Sequence, residues 1–352
     1  MKSALDAYLC LMGYTDPVAV CPTEKIPCEE LSDSERLCRH PLVSVVVPTF
    51  NHRRWIEEAL EGVLAQRTDF EYEVLVGDDA STDGTGEVCR ECQRRHPDRV
   101  RFLTSDSNLY RIGGNSRRMR ARVRGQFMAF CEGDDYWTDP CKLQKQIDLI
   151  RKTGSVACVA FNHIQRPDGR RVPCERVWGG FADLMDQRVH YYHTSTQVIH
   201  RDVFSAYPDI HNWYDSVMTS CAAGFGRVCI LPEAVSCYRQ TGAGVWTRAD
   251  GLARSLISLH PFLLLHYFGP DAAGNRAFCA HVCLERIMSG VKCRDAESVA
   301  FLAAHGGELL ELYRLLTAEQ PLLDRLRWTD LWGGSRKVRA RIKAACNAKR
   351  EG

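Results

Sequence analysis

Apolar and polar residues alternate along the first half of the chain in blocks that predict strands followed by helices. The segment LVSVVVP, which begins at Leu42, is rich in β-branched residues and is bounded by prolines, as expected for a strand buried on both faces. After it, apolar residues recur every three or four positions, a period that predicts a helix with one buried face. These residues are Ile56, Ala59, Leu60, Val63 and Leu64.

The same alternation repeats further along the chain. Strands are predicted for YEVLVG (72–77), VRFLT (100–104) and QFMAF, and helices for the segment ending near Arg95 and for NSRRMRARVRG. Another helix is predicted to start with Asp139 as its N-cap and Pro140 at its first position. Strands that alternate with helices at short spacing predict an α/β fold with a doubly wound, mostly parallel sheet and helices on both faces.

The pattern changes twice in the remaining sequence. Further strands are predicted beyond Val156, in VACVAFNHI, STQVIH and RVCILPEAVSCYRQ, whereas the chain is predicted to be helical from about Asp250. The predicted organisation is an N-terminal extension (1–40), an α/β domain (41–248) and a helical C-terminal region (249–352).

Composition narrows the class of protein. The 352 residues carry a formal net charge of +2, so nothing global indicates nucleic acid as a partner. The 17 cysteines lack the dense spacing of a secreted disulfide scaffold, and no apolar run reaches the roughly 18 residues of a spanning helix. A cytoplasmic protein with reduced thiols is expected. The basic, tryptophan-containing tail from Asp324 to Arg350 predicts peripheral contact with an anionic membrane face, the alternative being a locally packed or solvated helix.

Acidic and amide side chains cluster where the predicted strands end. The segments PTFN, DDAST and EGDD bring Asn51, Asp78, Asp79, Asp134 and Asp135 to the carboxyl ends of parallel strands, where ligands of such sheets bind. Carboxylates placed this close together repel unless a cation lies among them. Hard divalent cations take oxygen ligands and hold phosphates, so the sequence predicts an Mg²⁺ or Mn²⁺ site for a phosphate ester.

Three ordered segments carry a resemblance to a known family. PLVSVVVPTFNHRRWIEEALEGVLAQ, EYEVLVGDDASTDGT and GQFMAFCEGDDYW resemble the donor half of the inverting family-2 glycosyltransferases, which have the GT-A fold. The resemblance implies a donor half at about 41–140 and an acceptor half at about 141–248. It also implies transfer of a sugar from a nucleotide donor, by default a UDP-sugar, to a glycan, lipid-linked or protein acceptor.

The resemblance also implies roles for individual residues. Pro48, Thr49 and Asn51 would line the nucleotide pocket, Asp79 would bond the base, and Asp78 would support that loop. The alternative for both aspartates is loop capping alone.

Asp134 and Asp135 match the metal-binding DxD region, with Asp135 the direct ligand of Mn²⁺ or Mg²⁺. The sequence departs from the common form of this motif because Glu132 stands where its first aspartate often does, and the role of Glu132 stays open.

The second half offers candidates for catalysis and for covering the donor. Asp215 is the predicted catalytic base, with Asp209 as its competitor and the N-cap of a helix as the alternative role. In YRQTGAGVW, Arg239 and Trp246 resemble the basic and aromatic residues that close over the donor diphosphate. His193, in HTSTQV, is interpreted as structural.

Other interpretations of the sequence are weaker. Cys89 and Cys92 with His96 resemble half of a zinc site, but no second pair is evident. The arginines of NSRRMRARVRG are predicted to form mostly a solvated face. A retaining transferase of the same fold, a sugar-1-phosphate nucleotidyltransferase and a catalytically silent sugar-nucleotide or glycan-binding protein remain as alternatives.

Overall fold

The computed structural model describes most of the first 241 residues and parts of the C-terminal region. The described residues are 4–12, 25–109, 113–174, 192–207, 215–241, 251–257 and 295–318, with scattered positions between 259 and 293. The chain forms two compact units, 21–242 and 1–20 with 243–352. The boundaries at residues 40 and 248 stay predictions about domains.

A mixed sheet of ten strands forms the centre of the first unit, in the order β1-β4-β3-β2-β5-β9-β7-β10-β6, with β8 paired to β7. The pairings set β2, β3, β4, β5, β7 and β10 in one direction, so the sheet is mostly parallel as predicted. The strands are β1 (Glu29–Leu31), β2 (Val43–Thr49), β3 (Tyr72–Asp78), β4 (Val100–Thr104), β5 (Phe127–Phe130), β6 (Tyr136–Trp137), β7 (Ala157–Gln165), β8 (Arg171–Pro173), β9 (Val198–His200) and β10 (Val228–Arg239).

The helices mostly follow the predicted periodicity. Their bounds are α1 (Ala4–Leu11), α2 (Ile56–Leu64), α3 (Thr85–Arg95), α4 (Gly114–Arg120), α5 (Lys142–Thr153), α6 (Asp202–Ser205), α7 (Asp215–Phe225), α8 (Gly251–Ile257) and α9 (Ala296–Ala318). The helix α5 begins at Lys142, two residues after the predicted first position at Pro140. Asp139 accepts from the backbone N–H of Cys141 and from the ammonium group of Lys145, both at 2.8 Å, just before this start. No helix among the described residues is long and apolar enough to cross a membrane.

Helices cover both faces of the sheet. The buried valines of β2 and β3 pack with α2, α3 and α5 in one apolar core. On the other face, α4 lies so close to β3 that a Cβ on Gly77 would fall 2.3 Å from Met119 Sδ. This close approach of α4 explains why β3 has glycine next to its last residue.

A buried ionic network joins the edge of the sheet to its centre. Glu73 has no exposed surface and accepts from Ser44 Oγ at 2.6 Å, Arg124 Nε at 2.6 Å and Arg101 Nη1 at 3.3 Å. Arg101 also donates to Glu30 of β1 at 2.8 Å. The edge strand β1 lies in the predicted N-terminal extension, where the sequence pattern predicts no strand.

In the second unit, the described helices α1 and α9 pack together. Ser298 fixes the start of α9, since its N–H and Oγ both donate to Asp295. The basic tail at 324–350 lies outside the described residues.

Lys142 is a buried cation that we expect to lower stability at neutral pH. It has no exposed surface, its Nζ has no hydrogen-bond partner among the described residues, and it lies 4.1 Å from the Trp137 ring centroid. Burial lowers its pKa from 10.5 to about 7. Because the unfolded chain holds this proton up to a higher pH, the free energy of unfolding should rise above pH 7 by up to about 1.4 kcal/mol per pH unit.

Urea unfolding of the protein and of Lys142→Met at pH 7, 8 and 9 measures this effect. Lys142→Met should be more stable than the unaltered protein at pH 7, and its free energy of unfolding should not rise between pH 7 and pH 9. Lys145→Met on the same helix is the control, because Lys145 is partly exposed and Asp139 and Glu233 raise its pKa. If the free energy of unfolding changed with pH equally in the unaltered protein and in Lys142→Met, the prediction would be contradicted.

Candidate active site

The carboxyl ends of neighbouring strands place three of the predicted loops side by side. Thr49 ends β2 and is the register partner of Asp78, the last residue of β3. Next to them, the backbone N–H of Gly133 donates to the carbonyl of Pro48 at 3.0 Å. The residues predicted to line a nucleotide pocket and the acidic turn are therefore adjacent in the fold.

Side-chain hydrogen bonds hold the loops after β2 and β3. Asp78 accepts from the backbone N–H of Ser81 at 3.3 Å and from its hydroxyl group, and burial raises the pKa of Asp78. Asn51, with a positive φ of 54°, accepts from the backbone N–H of Thr82 at 2.9 Å. Asp78 and Asn51 therefore shape the edge of the candidate nucleotide pocket.

Asp79 and Arg118 hold the same strand end. Asp79 accepts from the backbone N–H of Leu109 at 2.8 Å, and burial raises its pKa. Arg118 has no exposed surface and donates through Nη2 to the carbonyl of Asp78 at 2.6 Å. The prediction of a mostly solvated arginine face is therefore wrong for Arg118 and also for Arg117, which is buried.

The acidic turn Glu132–Asp135 depends on glycine at its second position. A Cβ atom on Gly133 would lie 2.5 Å from Thr49 Oγ1 and 2.9 Å from His52 Nδ1. Distances this short are overlaps that a packed interior does not accept. Glycine therefore lets the turn pass directly against the end of β2.

Three side chains around this turn lie close enough together to hold one metal ion. One ligand atom each of Glu132, Asp135 and His193 lies within 4.8 Å of the other two. Asp135 Oδ2 is 3.5 Å from His193 Nε2, and Glu132 Oε2 is buried without a hydrogen-bond partner. A buried oxygen left unsatisfied indicates a missing partner, and carboxylate with imidazole is a donor set for Mn²⁺. The residues present therefore fit a divalent metal ion.

The electrostatics of the group agree with this fit. Burial, and then Asp215, raises the pKa of Glu132 to about 8. Burial, and then Asp134 and Glu132, raises the pKa of Asp135 well above its ordinary value, while burial lowers the pKa of His193. A cation among them would counter the two carboxyl shifts, because it favours the ionised carboxylates.

The group differs from the predicted ligand set. It contains Asp135 as predicted, but Asp134 lies outside it, with Oδ2 at 3.8 Å from His52 Nε2. Glu132 and His193 join it. The sequence leaves the role of Glu132 open and indicates a structural role for His193. His193 precedes a 3₁₀ turn at Thr194–Thr196. Only the pairing of β9 between β5 and β7 brings this segment to the acidic turn.

Arg239 ends β10 and orders the acidic turn. Its backbone N–H donates to Asp135 Oδ1 at 2.9 Å, and its Nη1 donates to the Asp134 carbonyl at 2.8 Å. Its Nη2 pairs with Glu58, and its guanidinium carbon lies 4.2 Å from the Tyr136 ring centroid. The contact of Arg239 with a donor diphosphate stays a prediction.

Asp215, the predicted base, opens α7 close enough to Glu132, in the candidate metal site, to raise its pKa. Its Oδ1 accepts from the backbone N–H of Thr194 at 2.8 Å, and its carbonyl accepts from Gln197 Nε2 at 3.0 Å. Asp215 is thus anchored to the segment that carries His193. Two other predicted residues, the competing Asp209 and the donor-covering Trp246, lie outside the described residues.

The cysteines of α3 do not form a zinc site in the described part of the chain. Cys89 and Cys92 with His96 are absent from the side-chain groups there whose geometry suits a metal. Burial raises the pKa of Cys89 well above its ordinary value and that of Cys92 to about 11, which disfavours the thiolate that zinc requires.

The sequence around this site is similar to a known family. Residues 44–208 match the family Glycosyl transferase family 2. This part of the chain is thus similar to a family 2 glycosyltransferase domain. The matched residues run from β2 into the segment after α6 and include the acidic turn and His193, whereas Asp215 and Arg239 lie beyond them.

A relative and two solved structures are similar to this chain. An uncharacterized protein of Mycobacterium tuberculosis is 31% identical over 236 residues, which are 61% of this chain and 66% of the relative. The alignment thus spans just under two thirds of that relative's length.

Among solved structures, S. aureus TarS 1–349 in complex with UDP-GlcNAc aligns with a TM-score of 0.60 at 19% identity, covering 88% of this chain and 92% of that one. A mannosyltransferase of Pyrobaculum calidifontis in complex with GDP-Man and Mn²⁺ aligns with a TM-score of 0.51 at 17% identity, covering 90% and 93%. At such identities the likeness concerns the fold, which is of the GT-A type as predicted.

Gly133→Ala should destabilise the acidic turn. The added methyl group collides with Thr49 and His52, so the free energy of unfolding should fall by about 1–3 kcal/mol. Gly307→Ala is the control, because its Cβ would meet nothing within 4 Å inside α9, and this variant should be neutral or slightly stabilising. Urea unfolding monitored by circular dichroism measures both, and an unchanged midpoint for Gly133→Ala would show that the turn relaxes freely.

Proposed function

We propose that this chain transfers a sugar from a nucleoside diphosphate sugar to an acceptor hydroxyl group, with inversion at the anomeric carbon. The observation that carries the proposal is the grouping of Glu132, Asp135 and His193 near Asp215, at the strand ends of a domain similar to family 2 glycosyltransferases. The grouping combines a candidate metal site for a diphosphate with a carboxylate for the acceptor.

The metal site is assigned to Glu132, Asp135 and His193, with Mn²⁺ or Mg²⁺ as the ion. When bound, the ion supplies Lewis-acid neutralisation of the negative charge that develops on the leaving diphosphate. Arg239 keeps Asp135 in place through its backbone N–H. Asp134, the other predicted ligand, is held beside His52 and is assigned to the donor.

The nucleotide is assigned to the pocket edge formed by Pro48, Thr49, Asn51, Asp78 and Asp79. Asp79 provides the contact with the base, since its carboxylate is fixed by Leu109 at the strand end. A UDP-sugar is the proposed donor, which the complex of TarS with UDP-GlcNAc supports. The complex of the Pyrobaculum enzyme with GDP-Man and Mn²⁺ supports the metal and makes GDP-sugars the first alternative.

Asp215 is the proposed base that removes the proton of the attacking hydroxyl group. Its hydrogen bond from Thr194 fixes the carboxylate near Glu132, and a base must be positioned before its basicity matters. Inversion needs one displacement at the anomeric carbon, with this base on the acceptor side of the sugar. A retaining enzyme would differ in the stereochemistry of its product.

The acceptor is proposed to be a glycan, a lipid-linked sugar or a protein, in polysaccharide, lipopolysaccharide or other glycoconjugate synthesis. The proposed location is the cytoplasm, with peripheral membrane contact through the basic tail. An alternative function, without catalysis, is that of a catalytically inactive protein that binds sugar nucleotides or glycans.

Donor and metal should bind together through Asp135. Thermal unfolding in the presence of UDP-, GDP-, TDP- and CDP-sugars, with and without Mn²⁺, should show a metal-dependent rise of the midpoint for one nucleotide. The rise should vanish in Asp135→Ala and persist in Asp148→Ala, an exposed aspartate of α5. No rise with any donor would reject the proposed donor site.

Asp215→Asn should reduce turnover without weakening donor binding. Loss of a general base lowers kcat by about 10²- to 10⁴-fold, whereas the thermal shift with donor and Mn²⁺ should stay as in the unaltered protein. Release of nucleoside diphosphate across a panel of sugar acceptors measures turnover. Asp202→Asn is the control, because Asp202 also stands at the first position of a helix, α6, and should not affect turnover. Equal losses of turnover in the two variants would refute the assignment of Asp215 as the base.

A further inference from the structure

Two cysteines lie side by side on neighbouring strands, away from the candidate active site. Cys158 of β7 and Cys229 of β10 are register partners in the parallel pairing of these strands. Each is the second residue of its strand, whereas the candidate active site lies at the strand ends. Both are free thiols in the apolar core that α5 packs against. Neither cysteine has a role in the proposed sugar transfer.

The strand pairing brings the two cysteines to the separation that a disulfide needs. Neighbouring strands lie about 4.7–4.9 Å apart, within the range of about 4.4–6.8 Å that separates the Cα atoms of a disulfide. Cys229 Sγ lies 3.4 Å from the carbonyl oxygen of Ala157, so its side chain leans over β7 next to Cys158. The two thiol groups are close enough to form a hydrogen bond with each other. A bond between the two sulfur atoms therefore requires no separation of the strands.

The two thiols differ in their surroundings and therefore in reactivity. Their mutual hydrogen bond lowers the pKa of Cys229 against the opposing effect of burial, whereas it raises the pKa of Cys158. The hydroxyl groups of Thr153 and Ser155 also lower the pKa of Cys229. Cys229 is 9% exposed, and Cys158 has no exposed surface. Because the thiolate is the nucleophile, Cys229 is the thiol that reacts first and Cys158 is the partner behind it.

We propose that Cys229 and Cys158 are a redox-active pair, which forms a reversible disulfide when the protein is exposed to a peroxide. The pair has the arrangement of redox-sensing cysteines, in which a reactive thiol stands next to a second thiol that resolves the oxidised product. The inference does not depend on the sugar transfer. The disulfide would close residues 159–228 into a covalent loop, and this segment includes His193 and Asp215.

The oxidation takes place in two steps. The Cys229 thiolate attacks one oxygen of hydrogen peroxide, so that an S–O bond forms, the O–O bond breaks and hydroxide leaves. The sulfur of Cys158 then attacks the sulfur of Cys229. The S–S bond forms, the S–O bond breaks, and the leaving hydroxide takes the Cys158 proton as water. Two thiols and one hydrogen peroxide thus give one disulfide and two waters, with both sulfur atoms oxidised and the peroxide reduced.

Peptide mass spectrometry of the protein treated with hydrogen peroxide tests the pair, with free thiols blocked by alkylation before digestion. The expected result is a peptide containing Cys158 linked to one containing Cys229, lost again after treatment with dithiothreitol. In Cys158→Ala, Cys229 should instead be trapped as a sulfenic acid by dimedone, because its resolving partner is missing. Cys92→Ala is the control and should keep the linked peptides. Absence of the linked peptides from the unaltered protein would overturn the proposal.

The rate of alkylation by iodoacetamide at pH 7 tests the order of reaction. Cys92 has more exposed surface than Cys229, but burial raises the pKa of Cys92 to about 11. Cys229 should therefore react faster than Cys92, by about tenfold or more, since its thiolate is the more populated. Faster reaction of Cys92 would show that exposure decides, and would overturn the assignment of Cys229 as the attacking thiol.

Discussion

Concentrated negative charge at the end of a parallel sheet is the constraint on which the rest of this structure depends. Glu132, Asp134, Asp135 and Asp215 lie close enough to influence one another, in surroundings that exclude much of the water. Carboxylates under these conditions either become protonated or bind a cation. The turn suits a cation, since its backbone is fixed by neighbouring strands and one buried oxygen is left without a hydrogen-bond partner among the described residues.

At the opposite end of the sheet, a buried carboxylate is paired with arginine side chains. There the carboxylate of Glu73 accepts hydrogen bonds from Ser44, Arg101 and Arg124, so the two arginines balance its charge within the fold. That network fixes strand register, and removal of one partner would leave an uncompensated buried ion. The same sheet thus carries an ionic network with its own counter-charges at one end and, at the other, a group of carboxylates in the candidate active site.

Local pattern predicted the parallel core well and the site in part. The strands β2, β3 and β4 and the helix α2 follow from apolar periodicity, and parallel strands carry the predicted loops to one edge. Periodicity carries no signal for contacts between distant segments, so it missed β1 at the sheet edge, the burial of Arg118 and the approach of His193 to the acidic turn. No local sequence pattern identifies a histidine in a polar loop as a candidate metal ligand. The position of His193 beside the acidic turn follows only from the strand order.

Arg239 links the acidic turn to the C-terminal part of the chain. It is the last residue of β10 and is clamped between Glu58 of α2 and the backbone of the turn. Arg239 is at the same time paired with Gln165 of β7, and the next residue, Gln240, donates to the Gln165 carbonyl. The pairing of β10 with β7 therefore also sets where the Asp135 carboxylate lies, because the backbone N–H of Arg239 bonds it.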